Sequence, residues 1–399
     1  MRTVRPSLRL ACAAACAALL AAGCAGNDTT SASSTGSTGP IVIGTSISLS
    51  GTTVLTSIKD GYQLAVDKVN AAGGVKVDGV KRKIKLVVLD NRSDTNTMVQ
   101  QVRSLVLSDH AVALLGSCCQ QNIDMEGQAD ALKTPLMMGA LPVELLPAGK
   151  GYAWDSFQSL ADGADKFYEL AATASTNKKI LMVSSNDAQG KATEQLWGGL
   201  GKKAGFTVAS SKAVPNGTTD FSDVVQSGKS TGAQILIADM APQDCFAMWK
   251  QMKALAYRPK LAIGLQCAQT PGWSALGSLG DGTLVQLNWT ESAGLPDTQM
   301  IVAKYAKKYP ALNDLGSVAL GYHEAELLVD AISRSGDATP AAINKALATT
   351  DMTSALGPVK FTANKSTTPS FIGQWESGKI QQVWPAKGAV PLKSLSGLG

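Results

Sequence analysis

From residue 40 onward the chain alternates short apolar runs with longer segments whose apolar residues recur every three or four positions. Ile41-Val42-Ile43-Gly44 reads as a short buried strand. Ile58, Tyr62, Ala65 and Val69 then share one helical face, and Asn70-Ala71-Ala72-Gly73-Gly74 places glycine where a left-handed C-terminal cap is wanted. Strands are predicted over 83–89, 111–115 and 135–138, with helices over 95–107 and up to about 132. A second set predicts strands over 179–184, 206–213, 234–238, 261–265 and 283–287. Its helices lie near 161–175, 190–204, 221–230, 243–256 and 273–279. Continuous apolar strands that alternate with helices argue for parallel sheets covered on both faces. The expected fold class is therefore α/β, with two doubly wound parallel-sheet lobes. Helices near 297–309 and 316–335 lack a long strand between them and are expected to return to the first lobe. Short strands are predicted over 359–362, 371–375 and 380–384, with Gly378-Lys379 as a hairpin turn.

The first 39 residues break this rhythm. Arg2, Arg5 and Arg9 precede an uncharged run from Leu10 to Ala22, which ends in Leu20-Ala21-Ala22-Gly23-Cys24. A basic start, a short apolar core and small residues at the cut make a secretory signal, too short for a stable membrane span. The cysteine after small residues resembles the lipobox of bacterial lipoproteins, in which that thiol is lipidated and becomes the first mature residue. Ala21 stands where the usual lipobox has leucine, with Leu20 one step further out. An ordinary secretory signal with Cys24 merely near the cut is the alternative. Asn27 to Gly39 is almost all Ser, Thr, Gly and Asp, a composition that reads as a flexible tether.

Charge and cysteine use narrow the class. The formal charge of +5 falls to +2 when the three signal arginines leave, and the densest basic cluster, Lys81-Arg82-Lys83, has no interleaved aromatic residues. Nucleic acid is not an expected partner. Removing Cys12 and Cys16 with the signal, and Cys24 as anchor, leaves Cys118, Cys119, Cys245 and Cys267. An even number in an exported chain permits disulfides, with three possible pairings. Cys245 and Cys267 follow two strands expected to be neighbours, which makes that pair one candidate; Cys118 and Cys119 are then buried thiols or a vicinal bridge. Two histidines, His110 and His323, lie far apart, and no metal-ligand spacing occurs. No metal site and no cofactor are expected.

An ordered set of short motifs then resembles the leucine/isoleucine/valine-binding group of type I periplasmic binding proteins, the receptors of ABC transporters. The motifs are Ile43-Gly44 with Leu49-Ser50-Gly51, Gly61-Tyr62-Gln63-Leu64-Ala65-Val66-Asp67 leading to Asn70-Ala71-Ala72-Gly73-Gly74-Val75, Asp90, Leu114-Leu115-Gly116-Ser117, and Val214 to Ser222. The resemblance implies a three-segment hinge, with crossings near 155–160, 286–291 and 350–356. It implies these parts: signal 1–23, lipid-anchored tether 24–39, first lobe 40–157 plus 288–352, and second lobe 158–287 plus 353–399.

Ligands of open parallel α/β sheets sit beyond the carboxyl ends of the strands, where helix N-termini favour an anion. That rule selects the loop Gly116 to Asn122, with Cys118, Cys119 and Gln120, and Asn122 near the helix cap. By resemblance Gln120 takes the place of a serine that grips a ligand carboxylate, and Ala140 that of a ligand-contacting alanine. Leu141 and Pro142 stand where the family has a threonine. Gly139, Ala140 and Leu141 complete this loop. Trp154, Phe157 and Gln158 at the first crossing can sandwich and orient a flat or apolar ligand, or can simply pack the hinge. On the second lobe Gln189, Asp239 and Gln266 follow strands; Asp239 can pair with a ligand amine or cap the next helix. Thr53 and Thr56, after the first strand, complete the candidates.

These readings point to an extracytoplasmic solute receptor of an ABC importer. It is expected to be a monomer, lipid-anchored through Cys24 at the outer face of the cytoplasmic membrane. It would bind an amino acid or related small carboxylate or amide by cleft closure and deliver it to a membrane permease. A ligand-sensing subunit that signals through a membrane partner needs the same cleft and is the alternative. An enzyme is not expected, because Cys118 and Cys119 are the sole attractive nucleophiles and neither of the two histidines belongs to a Cys/His motif.

Overall fold

The computed structural model describes residues 39–147, 151–265, 267–386, 388–395 and 398. The signal, Cys24 and Gln266 lie outside the described residues. The first lobe begins with β1 (Ile41–Ile47), α1 (Thr56–Ala71), the hairpin β2 (Val75–Val77) and β3 (Val80–Arg82), and β4 (Ile84–Asp90). It continues through α2 (Thr95–Leu107), β5 (Ala113–Leu115), α3 (Cys119–Leu132), β6 (Leu136–Met138) and β7 (Ala153–Gln158). The second lobe holds α4 (Leu160–Thr173), β8 (Lys179–Ser185), α5 (Ala188–Lys203), β9 (Thr207–Val214) and α6 (Ser222–Thr231). It adds β10 (Ile235–Asp239), α7 (Pro242–Ala254), β11 (Leu261–Gly264) and β12 (Leu284–Leu287). The chain then returns for α8 (Thr298–Tyr305), α9 (Leu312–Ser335), α10 (Pro340–Leu347), the hairpin β13 (Asp351–Ser354) and β14 (Gly357–Lys360), and β15 (Lys365–Thr368). It ends in the second lobe with β16 (Phe371–Glu376) and β17 (Lys379–Trp384).

The first sheet runs β15-β7-β6-β5-β1-β4, all parallel. The second runs β17-β16-β12-β11-β10-β8-β9, parallel except where β16 joins β12 and β17 joins β16. Each sheet is buried on both faces, and side-chain alternation divides the strands between two cores. In β10, Leu236 and Ala238 face the core with Trp249 and Trp273, while Ile235 and Ile237 face the one with Phe167 and Trp197. In β5, Ala113 and Leu115 pack toward α1 and α9, whereas Leu114 packs toward α2 and α3. Among the described residues no helix is long and apolar enough to cross a membrane.

Two strands escape a reading based on apolar periodicity. β7, Ala-Trp-Asp-Ser-Phe-Gln, mixes polar and aromatic residues. β15, Lys-Ser-Thr-Thr, is a polar edge strand that pairs with β7 from Lys365↔Asp155 to Thr368↔Gln158. The third crossing therefore falls between Thr368 and Phe371, not near 350–356, and residues 353–368 pack with the first lobe rather than the second. The segment expected as a helix near 273–279 is a 3₁₀ run, Pro271–Gly280, broken at Gly277.

The three crossings meet at the start of α4. Glu144 accepts hydrogen bonds from Ser159 Oγ (2.6 Å) and from the Leu160 and Ala161 amides (3.1 and 3.2 Å). Gln286 Nε2 donates to Ser159 O (3.2 Å) and Ser370 Oγ (3.1 Å), and the Ser370 amide donates to Asp162 Oδ2 (3.1 Å). Where α1 crosses α9, two glycines let backbone meet backbone. A Cβ on Gly321 would fall 2.0 Å from Ile58 O, and one on Gly61 would fall 2.2 Å from Val318 O. That contact fixes the N-terminal turns of both helices beside the cleft.

Candidate functional site

A cavity of about 450 Å³ lies between the lobes. From the first lobe it is lined by the loop after β1 (Thr52, Thr53, Val54, Leu55), the start of α1 (Ser57, Ile58), Cys118 and Cys119 after β5, Ala140 and Pro142 after β6, and the end of β7 (Phe157, Gln158). The first turns of α9 add Asp314, Ser317 and Leu320. The second lobe contributes Gln189, Asp239, Pro242, Leu265, Gln269 and Thr270, and the second crossing contributes Gln286, Leu287, Asn288 and Trp289. These positions are the carboxyl ends of parallel strands and the helix starts that follow them, where this architecture leaves its crevice.

Local chemistry explains the shape of the first-lobe wall. Cys119 and Ala140 adopt left-handed backbone (φ 55° and 52°), and the Cys119 amide donates to Ala140 O at 3.1 Å. Asn122 does not cap α3, whose cap position is Cys118. Its carboxamide accepts from the Ser117 amide (2.7 Å) and donates to Gly139 O, which ties the loops after β5 and β6 together. Below it Gln121 Oε1 accepts from Ser117 Oγ (2.7 Å), Ser48 Oγ (3.2 Å) and Asn91 Nδ2 (3.1 Å). Cys118 is buried and Cys119 exposed, and both are free thiols. The hydrogen bond that the Cys118 thiol donates to Cys119, together with burial, pushes the Cys118 thiol well above its ordinary pKa.

The second-lobe wall is stiffened differently. Cys245, in the first turn of α7, is joined to Cys267 after β11 with Cα atoms 6.1 Å apart. The bond ties α7 to the turn that carries Gln269 and Thr270. Asp239 ends β10 with 1% exposure; its Oδ2 accepts from Thr193 Oγ1 at 2.6 Å and its Oδ1 from Gln189 Nε2 at 3.4 Å. It does not cap α7, whose cap residue is Ala241.

Of the residues selected from sequence, Cys118, Cys119, Ala140, Phe157, Gln158, Gln189 and Asp239 meet at this cavity, as does Thr53. Five others do not line it. Gln120 points to solvent and donates to Asp124 (3.2 Å), because α3 begins at Cys119, ahead of the cap expected near Asn122, and Cys119 takes the position at the cavity. Trp154 is 4% exposed, stacks edge-on to Phe361 (5.1 Å) and donates from Nε1 to Asn344 Oδ1 (2.7 Å), so it belongs to the first-lobe core. Leu141 is likewise core. Gly139 is glycine because a Cβ would meet Leu320 Cδ1 at 2.7 Å and Glu324 Oε1 at 2.8 Å. Thr56 opens α1 between lining neighbours without lining the cavity itself. Gln269 and Pro142 were within reach of the strand-end rule. Asp314, Ser317 and Leu320 were not, since nothing local tells a long helix which turn will face a cleft.

Burial shifts several groups near the cavity. Asp314 is raised by desolvation. Behind the wall, burial holds Glu324 at about 8 even though its Oε2 accepts from Tyr62 OH at 2.7 Å, and desolvation lowers His323 to about 3.

Two doubly wound lobes, three crossings and a solute-sized cavity at the strand ends define a two-lobed binding protein of the periplasmic type I class. The chain belongs to the periplasmic binding protein family, whose model matches residues 40–379. It is 24% identical over 353 residues to Leu/Ile/Val-binding protein homolog 7 of Brucella abortus, covering 83% of this chain and 87% of that protein. Its fold matches the branched-chain amino acid transporter substrate binding protein LivJ of Streptococcus pneumoniae, in complex with isoleucine, with a TM-score of 0.72 at 18% identity (88% of this chain, 99% of that one). It also matches an ABC transporter solute binding protein of R. palustris in complex with benzoate, with a TM-score of 0.71 at 19% identity (88% and 98%).

Proposed function

We propose that this chain is the extracytoplasmic receptor of an ABC importer, which captures one small solute, an amino acid or related small carboxylate or amide, by closing its lobes. The observation that carries this reading is the cavity itself, because residues from both lobes and from the crossings line one solute-sized space. A ligand that touches both lobes favours the closed form by its differential affinity for that form. In this reading the receptor is a monomer, held at the outer face of the cytoplasmic membrane by a lipid on Cys24, and it delivers its solute to a permease. A small-metabolite screen by thermal shift, followed by small-angle scattering with each hit, tests the reading. The expected result is a stabilising ligand that also lowers the radius of gyration; a stabilising ligand that leaves the radius unchanged refutes closure. Cys24→Ser is expected to release the protein from the membrane fraction or leave it unprocessed, and detergent-dependent attachment of the variant refutes the anchor.

A further inference from the structure

Two neighbouring thiols share the first-lobe wall of the cavity. Cys118 ends the loop after β5 and Cys119 is the first residue of α3, and both line the space. Cys118 is buried and Cys119 is open to solvent. The Cys118 thiol donates to the Cys119 sulfur, so the two sulfurs already lie within hydrogen-bond reach. Extended backbone at Cys118 and left-handed backbone at Cys119 (φ 55°) set the pair against the loop after β6, where the Cys119 amide donates to Ala140 O at 3.1 Å. On the second lobe the same chain already holds a disulfide, Cys245–Cys267. A chain that acquires such a bond meets disulfide oxidants, and an exposed thiol meets them first.

The two thiols differ as an attacking and a resolving group must. The hydrogen bond from Cys118 lowers the Cys119 pKa, against desolvation. Its place at the start of α3, a 14-residue helix with no side-chain cap, favours the same thiolate through the helix dipole and unpaired amides. That hydrogen bond and burial hold the proton on Cys118 instead. Neighbouring Cα atoms are about 3.8 Å apart, closer than in relaxed disulfides, so a bond between neighbours is strained and readily reduced. The Cα atoms of Cys245 and Cys267 are 6.1 Å apart, within the relaxed range, and both residues are fully buried.

We propose that Cys118 and Cys119 are a redox modification site, closed into a vicinal disulfide by a small disulfide that enters the cavity and reopened by small thiols. The Cys119 thiolate attacks one sulfur of R–S–S–R; that bond breaks, and the first R–S⁻ leaves and takes up a proton. Formation of the mixed disulfide ends the hydrogen bond that held the Cys118 proton. Cys118 then gives that proton to solvent and attacks Cys119 Sγ, and the second R–S⁻ leaves and is protonated. Two protein thiols lose two hydrogens and two electrons, and the small disulfide becomes two thiols. The reduced pair offers the cavity an S–H donor, and the closed pair an apolar ring without one, so the thiol–disulfide balance around the protein sets which wall the cavity presents. A bond between neighbours encloses no chain loop, so the response of unfolding to reductant still belongs to Cys245–Cys267.

Glutathione and its disulfide test this on the full chain in detergent, read by intact mass and by mapping of unreduced peptides. Wild-type protein incubated with glutathione disulfide is expected to lose two hydrogens and to carry no adduct, with both cysteines in one internally bridged peptide. Millimolar glutathione should reopen that bridge and leave Cys245–Cys267 closed. Cys118→Ser should stop at one glutathione on Cys119. Cys119→Ser, at an exposed position, should react at least about tenfold more slowly than the wild type, because the remaining thiol is buried. A wild type that stops at the glutathione adduct overturns the proposal, and so does a pair that stays reduced. A Cys119→Ser variant that reacts at the wild-type rate, a bridge from either cysteine to Cys245 or Cys267, or a vicinal bridge no easier to reduce than Cys245–Cys267 overturns it as well. None of these readouts uses a solute, so each such outcome leaves the receptor reading standing.

Discussion

Breaking the Cys245–Cys267 bond should destabilise the second lobe by an amount the structure sets. The cysteines are 22 residues apart in sequence, so the bond closes a loop of that length in the unfolded chain. The chain-entropy relation gives a loss of about 11 cal/mol/K, or about 3.4 kcal/mol at 25 °C. At roughly 2–4 °C per kcal/mol for a lobe of this size, the melting temperature should fall by about 7–14 °C. Both sulfurs sit in the core with Met248, Trp249 and Trp273, so a Cys245→Ser, Cys267→Ser variant adds the burial of two hydroxyls to that loss. The assay is urea unfolding of the wild-type protein with and without reductant, followed by tryptophan fluorescence. Cys118→Ser, Cys119→Ser serves as control, since those thiols are free and its reductant response should match that of the wild type. Affinity should fall along with stability, because the bond ties α7 to the turn that brings Gln269 and Thr270 to the cavity. A wild-type midpoint unmoved by reductant, with labelling that shows both thiols released, would refute the reasoning.

Other consequences are equally open to measurement. Gly321→Ala should lower stability by about 1–3 kcal/mol or more, because its Cβ meets Ile58 O at 2.0 Å, whereas Gly127→Ala, with nothing within 4 Å, should be neutral or stabilising by up to about 1 kcal/mol; urea midpoints separate them. Trp154→Phe should destabilise the first lobe by about 1–2 kcal/mol through the lost bond to Asn344 without weakening ligand, and a ligand-affinity loss larger than the stability loss would restore Trp154 to the site. Glu324 has its pKa raised by burial from 4.5 to about 8, so the folded state holds a proton the unfolded state has lost between those values. Stability should therefore decline as pH rises through that window, and Glu324→Gln, which keeps an acceptor for Tyr62, should flatten the decline; an unchanged pH profile of the unfolding midpoint refutes the assignment.

The sequence by itself determined the elements whose burial is written along one strand or helix face. Ile235–Asp239 is apolar in four consecutive positions because both faces of β10 are covered, and Ile58, Tyr62 and Ala65 repeat at helical spacing because one face of α1 is buried. The rule that ligands sit at strand ends selects the loop that carries Cys119 and the position of Asp239 after its strand, and both line the cavity. Tertiary structure alone decided β7 and β15, since Asp155 and Lys365 pair as neighbours in a sheet while neither segment alternates cleanly. It decided that Trp154 faces Phe361 and Asn344 rather than the cleft, because adjacent residues of one strand point to opposite sides and only the sheet's neighbours say which side is which. It decided that Cys119 rather than Gln120 looks inward, a matter of where α3 takes its first turn. It brought Asp314 to the cavity from a helix whose own pattern reports only its packing on α1. Periodicity records how much of an element is buried; which partner buries it, and which turn borders a crevice, are properties of residues hundreds of positions away.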